Sequence, residues 1–518
     1  MKKNKLVFVL CIVLVAAISL GVLVSCTTNP ANPDGIKNYL VLDENVQYQS
    51  MTGFGASAAW WAQTVPQGSQ SAADLATSLY TDEGIGLTIY RYNIGGGSWD
   101  YNAYEDHAAG DFVVYPEMRN TQSAFIAENY DKSRSAADNF ADDANYDFSK
   151  DANALGFMRL CAEQEGSTVE RIILFANSPH YLLTVSGKTN GDYAYQSNLP
   201  KENYQAYCEY LMKYLDYIVN DMGLTVDSVS AINEPQHSWG GEDSPQEGCH
   251  YEPEELAAFY DVFYGYLKDF NEKNGTDVKM DVFESGNYDV YKSKGRVMEY
   301  VYAMSKYDYF DEIDTLSVHS YGSPTSVEAR ESFVYMLDNL YGDKFNIEMS
   351  EICYMEAGLD TGMKSALWLS EVMHKDFVNL GASAWGWWMA TSCDDYNDGL
   401  VTWAWKSENG KVEPTKRYYI LGQYSLFVDS GDVRIEGYID NADKGVFAVA
   451  FRKADGSIIV VITNTGSEKM QINLPEGYTS LKAVQTDAQS SLETVYEGGY
   501  KTAFSVGAES VTTLVISR

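Results

Sequence analysis

Between residues 51 and 430 the chain alternates short apolar or β-branched runs with stretches of helical spacing, and it does so eight times. The strand-like runs are 51–57, 87–94, 171–176, 227–232, 279–284, 314–319, 345–350 and 382–388. Helical patterns at 71–82, 151–165, 202–222, 253–274, 291–305, 326–340 and 362–379 separate them, and one at 416–427 follows. Strands that take turns with helices pair in parallel, since each crossover returns the chain to the same end of the sheet. Eight such units fit a closed (β/α)8 barrel with long loops. An open doubly wound sheet is the alternative, but no third glycine follows Gly53 and Gly55 in dinucleotide-binding register.

From Val433 the helical period disappears. VRIEGY, GVFAVAFRK, SIIVVITN, MQINL, SLKAVQT and SVTTLVISR alternate or cluster β-branched residues between Gly, Asp and Asn turns, so residues 431–518 predict a β-sandwich. Residues 38–48 read as a strand that joins that sandwich, leaving 49–430 as the barrel.

The first 25 residues pair three lysines with an apolar stretch and end Leu23-Val24-Ser25 before Cys26. The stretch is long enough for a transmembrane anchor. Small residues directly before a cysteine instead predict a bacterial lipoprotein leader, with lipidation at Cys26, residues 26–37 as a tether and a lipid-anchored place on the cell surface. Without the leader, 34 basic residues face 73 acidic ones, a net charge of −39. Such a field excludes nucleic acid as a partner and leaves contact with membrane to the lipid alone. A monomer is expected.

Seven cysteines and six histidines form no CxxC or HxH pair, so neither a transition-metal site nor another cofactor is expected. Asp394–Gly399 fails as a calcium loop because Tyr396 stands where an oxygen ligand is needed. Cys161 and Cys208 fall in helical patterns as buried thiols, and spacing leaves any bridge between Cys353 and Cys393 open. Forty tyrosines and ten tryptophans can pack a core or offer flat faces to sugar rings.

In a (β/α)8 barrel the chemistry sits at the C-terminal ends of the strands. Glu234 follows the fourth strand and Glu351 the seventh, on opposing sides of an eight-stranded ring. Two carboxyls facing across a cleft meet the requirement for glycoside cleavage, one protonating the leaving oxygen and one attacking the anomeric carbon. Glu348 competes with Glu351. Strand alternation sets the two on opposite faces, and Glu348 lies deeper in its strand. Glu284, ending the fifth strand, is a weaker candidate, structural or in contact with a substrate hydroxyl.

Several stretches together resemble glycoside hydrolase family 30: GFGASAAWW, RYNIGGGS, FANSPHYLLTVSGKTNG, AINEPQHSW, VHSYG, IEMSEIC, AWGWW and RYYILGQYSLFV. The resemblance spans about residues 49–428, and that family carries a sandwich beside its barrel. It implies Glu234 as acid/base, Glu351 as nucleophile and retention of anomeric configuration through a covalent glycosyl-enzyme. It implies that Asn233 donates to the hydroxyl beside the reacting carbon and that Arg91 keeps Glu351 ionised. His319 and Tyr321 would orient the nucleophile, and Asn177 would shape the subsite floor. Trp60, Trp239, Trp385 and Trp387 are candidate sugar contacts; of Trp385, Trp387 and Trp388, at least one should stack on the sugar while alternation sends another into the barrel–helix interface. A proton donor at neutral pH requires Glu234 to titrate above Glu351. The loop from His237 to Cys249 resembles that of endo-β-1,6-galactanase-like members, which makes β-1,6-galactan the expected substrate, with xylan and β-1,6-glucan as alternatives. A surface glycan-binding lipoprotein without catalysis is the alternative of another class.

Overall fold

The computed structural model describes residue 32 and residues 35–97, 121–191, 193–240, 246–291, 295–356, 358–392 and 396–518. The leader, Cys26, Cys393 and part of the His237–Cys249 loop lie outside the described residues.

Strand β1 (Tyr39–Ser50) precedes the barrel, which is built from β2 (Gly53–Ser57), β3 (Ile89–Asn93), β4 (Arg171–Phe175), β5 (Ser228–Ser230), β6 (Lys279–Ser285), β7 (Thr315–His319), β8 (Asn346–Glu351) and β9 (Ala382–Ser392). Each pairs in parallel with the next, and β9 closes the ring by pairing with β2, Gly53 opposite Ala384. The eightfold alternation therefore does produce a closed barrel. Helices such as Pro253–Asn274 and Val327–Tyr341 cover its outside, where outward residues like Tyr90 and Tyr92 are fully buried. The inward face is layered. At the floor Arg171 is hydrogen-bonded to Asp227 (2.9 Å) and Glu348 (2.9 Å). A small apolar cluster of Ile89, Ile173 and Ala384 lies within the barrel, and the charged groups of the next section crown its C-terminal end.

Two slips of register matter for the chemistry. His319 pairs with Glu351 although Val318 pairs with Met349, which leaves Ser350 as an extra residue in β8. Likewise Ser57 pairs with Met389 although Ala56 pairs with Trp387, leaving Trp388 extra in β9. A one-residue bulge reverses the alternation of faces beyond it. Glu348 and Glu351 consequently both point into the barrel, contrary to the strict alternation expected of them. Depth separates them: Glu348 is spent on Arg171 and Thr52 at the floor.

Beyond β9, strand β10 (Gly399–Thr402) pairs in parallel with the end of β9 and antiparallel with β11 (Glu413–Pro414). Eight more strands, β12 (Val433–Asp440) through β19 (Ser510–Ser517), form the sandwich around Ile435, Val460, Ile472, Leu481 and Leu514. Strand β1 lies in this sheet, antiparallel to β12. The sandwich packs on the barrel helices Met363–Lys375 and Lys416–Ser425: Thr513 donates to the Gln423 side chain (2.6 Å), Ser370 and Thr463 share a hydrogen bond (2.6 Å), and Phe451 meets Phe377 edge-on. Cys161 and Cys208 are buried free thiols.

Candidate active site

Five strands deliver one charged cluster. From β3, Arg91 sends Nη1 to Glu351 Oε2 (2.6 Å) and Nη2 both to Asn233 Oδ1 (3.2 Å) and to Glu284 Oε1 (3.2 Å), with its guanidinium 3.7 Å over the Phe175 ring. His319, ending β7, places Nδ1 2.9 Å from Glu234 and Nε2 2.9 Å from Glu284. Tyr321 donates to Glu351 Oε1 (3.2 Å), and the Ser350 hydroxyl donates to Glu284. A carboxylate oxygen of Glu234, one of Glu351 and a ring nitrogen of His319 all lie within 4.8 Å of one another.

The backbone beneath Glu234 is strained. Glu234 (φ 46°) and Glu284 (φ 50°) both occupy the left-handed region, and the Glu234 N–H donates to the Glu284 carbonyl (2.9 Å). Such conformations cost on the order of 1–3 kcal/mol each and persist only where the surroundings impose them. Here Gly286 helps, because a Cβ there would lie 3.0 Å from the Glu234 carboxyl carbon. Gln236 accepts from the Gly286 N–H (3.1 Å), and Trp239 donates its indole N–H to the Glu234 carbonyl (2.9 Å).

Three carboxyls and two cationic groups share this buried space. Burial alone would depress the His319 imidazolium; Glu351, Glu234 and Glu284 outweigh it and raise His319 to about 10. Burial pushes Glu284 up, yet Arg91 and His319 pull it down to about 2. Burial also pushes Glu234 up, and the His319 hydrogen bond and charge bring it below the ordinary carboxylate range. Glu351 rises, because burial and the charge of Glu234 exceed the opposing pull of His319 and Arg91. This order reverses the expectation that Glu234 titrates above Glu351. Its cause is the short His319–Glu234 hydrogen bond, which favours the carboxylate form of Glu234 and the protonated form of His319. Glu234, His319 and Glu351 are also where ligand atoms for a cation converge. However, both His319 nitrogens already face carboxylates, and Arg91 already supplies positive charge at Glu351, so the trio is organised around a proton.

The remaining candidates divide. Trp60 is buried edge-on against Trp388 (5.1 Å), and among the described residues its indole N–H and both amide atoms of Asn177 have no hydrogen-bond partner. Trp239 is wedged behind the acid, 5% exposed, against Gly248, where a Cβ would lie 2.2 Å from the indole. It braces Glu234 instead of presenting a stacking face. Trp385 and Trp387 are corrections to the sequence reading: both are fully buried outside the barrel, donating to Asp376 (2.9 Å) and to the Asp398 carbonyl (2.6 Å). Trp388, of opposite parity along the strand, faces inward instead, 5.9 Å from the Arg91 guanidinium. Alternation from Ala384, which lies within the barrel, separates Trp388 from its neighbour. Glu247, in the loop after β5, is fully buried, accepts from the Gly96 N–H (3.1 Å) and is pushed up to about 8 by burial.

The sequence model described as O-Glycosyl hydrolase family 30 matches residues 37–402, and that of the glycosyl hydrolase family 30 beta sandwich domain matches 431–514. An endo-beta-1,6-galactanase of Hypocrea rufa is 23% identical over 443 residues, 83% of this chain and 81% of its own. A conserved exported protein of Bacteroides fragilis superposes with a TM-score of 0.74 at 20% identity, covering 92% of this chain and 100% of that one. The catalytic domain of the family 30 xylanase C from Talaromyces cellulolyticus gives 0.66 at 19% identity, covering 93% and 100%. At these identities the two structures speak for the fold alone.

Proposed function

Because the chain belongs to glycoside hydrolase family 30 and is a glycoside hydrolase, we propose that it cleaves β-1,6-linked galactan with retention, Glu351 acting as nucleophile and Glu234 as acid/base. One observation carries the mechanism: oxygens of the two carboxyls lie within 4.8 Å. Retaining pairs stand about 5–5.5 Å apart, while inverting pairs need about 6.5–9.5 Å to admit a water between them.

In the first step Glu351 attacks the anomeric carbon and the glycosidic C–O bond breaks. The leaving oxygen takes the proton shared by Glu234 and His319, and a glycosyl ester forms on Glu351. In the second step Glu234 removes a proton from water as its oxygen attacks the same carbon, which frees Glu351. Arg91 and Tyr321 hold the attacking carboxylate in place. The oxygen of Asn233 is fixed on Arg91, which leaves its amide N–H for the hydroxyl beside the reacting carbon, a contact that strengthens as charge develops there. A proton NMR time course should show the β-anomer of the product first; the α-anomer first would refute retention.

The choice of sugar rests on the similarity to the Hypocrea rufa galactanase. Xylan and β-1,6-glucan are the alternatives that the sequence leaves open. Incubation with galactan, xylan and β-1,6-glucan tests the choice, and no release from galactan would reject it. We extend the proposal to a lipid-anchored position through Cys26, for which Cys26→Ala should leave an unprocessed precursor on a gel; normal processing of that variant would reject it.

A further inference from the structure

Seven tyrosines are exposed among the described residues: Tyr48, Tyr193, Tyr195, Tyr291, Tyr302, Tyr335 and Tyr438. Four lie on sandwich strands or on helices outside the barrel. The other three, Tyr193 (68% exposed), Tyr195 (47%) and Tyr291 (73%), sit on loops at the catalytic end. Those loops flank the one that carries Glu234. The loop after β4, with Tyr193 and Tyr195, lies against one side of it: the Tyr195 N–H donates to the Ser238 carbonyl (2.9 Å), and a Cβ on Gly240 would come 2.6 Å from the Tyr193 carbonyl. The loop after β6, with Tyr291, lies against the other: a Cβ on Gly295 would come 2.9 Å from the Gln236 Cβ. Between them His237 and Trp239 both donate to the Glu234 backbone carbonyl. Tyr195 holds φ 58°, a conformation a bulky side chain adopts only under constraint.

The side of the cleft that bears Glu351 differs. There the exposed apolar residues are Met355 and Leu359, while Tyr354, Tyr396 and Trp403 are buried. Among the described residues, exposed rings therefore mark one side of the reaction centre. The leaving oxygen must come within hydrogen-bond reach of Glu234, so the departing part of the glycan crosses the loop these rings bracket. A tyrosine offers a pyranose a large flat apolar face with a polar tip, and it loses little conformational freedom on contact.

The geometry points to Tyr193 and Tyr291 as a stacking platform for the sugar units on the leaving-group side of the cleaved bond, with Tyr195 packed edge-on against His250 beside them. The enzyme thus grips its polymer mainly beyond the scissile linkage, in subsites read by ring stacking and tolerant of which hydroxyls the sugar carries. This rests on Glu234 being the acid, and it predicts that efficiency grows with the number of units behind the cleaved bond.

The test compares Tyr193→Ala, Tyr291→Ala and the double variant with wild type. The substrates are β-1,6-galacto-oligosaccharides of increasing length and 2,4-dinitrophenyl β-galactoside, whose leaving group is one activated ring. Each alanine should lower kcat/KM on the longer oligosaccharides roughly 2- to 12-fold, leave the aryl substrate and the melting temperature unchanged, and be rescued by phenylalanine. Equal losses on both substrates, no loss, or a change in oligomeric state with unaltered length dependence would overturn the platform. Failure of the acid assignment is separable: Glu234→Gln would then hydrolyse the oligosaccharides normally. If wild type cleaves xylan or β-1,6-glucan instead, the series is made from that glycan and the same outcomes decide.

Discussion

Replacing Glu284 by glutamine removes one of the three negative charges around His319 and changes little in shape. Glu284 is fully buried, accepts from His319 Nε2 at 2.9 Å and from Ser350, and is ion-paired with Arg91 at 3.2 Å. A hydrogen bond to a charged group is worth about 1.5–3 kcal/mol, which at about 1.36 kcal/mol per pH unit corresponds to about 1–2 units in the imidazolium. His319 has its folded value raised, to about 10. The stability it confers is therefore complete below its unfolded value near 6.5 and is lost as pH rises through 10. Glu284 titrates at about 2, so its own proton cannot produce an alkaline effect. The expected result is an alkaline limb of kcat/KM that moves down by about 1–2 units, with kcat/KM near pH 6 much less affected. Arg91 is left with less compensation, and stability should fall by about 2–4 kcal/mol. The assay is a pH–rate profile on an activated aryl glycoside, paired with urea unfolding at pH 6. An alkaline limb that stays put while stability falls would refute the shared proton and leave Glu284 a purely structural acid.

Two other perturbations separate parts of the molecule. Trp387→Ala should open a cavity outside the barrel and cost about 3–5 kcal/mol in chemical unfolding, while the folded fraction keeps its KM; Trp388→Ala should cost less stability and raise KM or lower kcat. Glu247 is neutral when folded up to about pH 8 because burial raises its carboxyl. The native state then binds the extra proton between the unfolded value of 4.5 and 8, and stability must decline as pH rises across that window. Melting temperatures at pH 5 and pH 8 should therefore diverge less in Glu247→Gln than in wild type.

The barrel and the positions of Glu234 and Glu351 were legible because they depend on local periodicity and on which strand a residue ends. The shared inward face of Glu348 and Glu351 was not. A bulge lies between them, and a bulge is set by how two strands mate across the sheet, which no single segment records. The favoured protonation forms of Glu234 and His319 were hidden for a related reason. They are fixed by Arg91, Glu284 and His319, brought together from three strands, and the sum of their charges overturns what Glu234 would do alone. Trp239 shows the converse: an aromatic in a cleft loop looks like a sugar contact until its indole N–H is found committed to the backbone of Glu234.

The pairing of β1 with β12 makes the catalytic barrel an insertion within the sandwich. Leu40 and Ile439, neighbours across that ladder, stand almost 400 residues apart in the chain. Loop-closure entropy grows only logarithmically with that separation, so the arrangement weighs little on final stability. It weighs on the order of events. A ribosome releases β1 long before its partner exists, and its open edge must wait, unpaired and able to join the wrong strand, while the barrel forms. Cutting the sandwich away after residue 430 would recreate that waiting state permanently, so removing the sandwich cleanly also requires trimming β1.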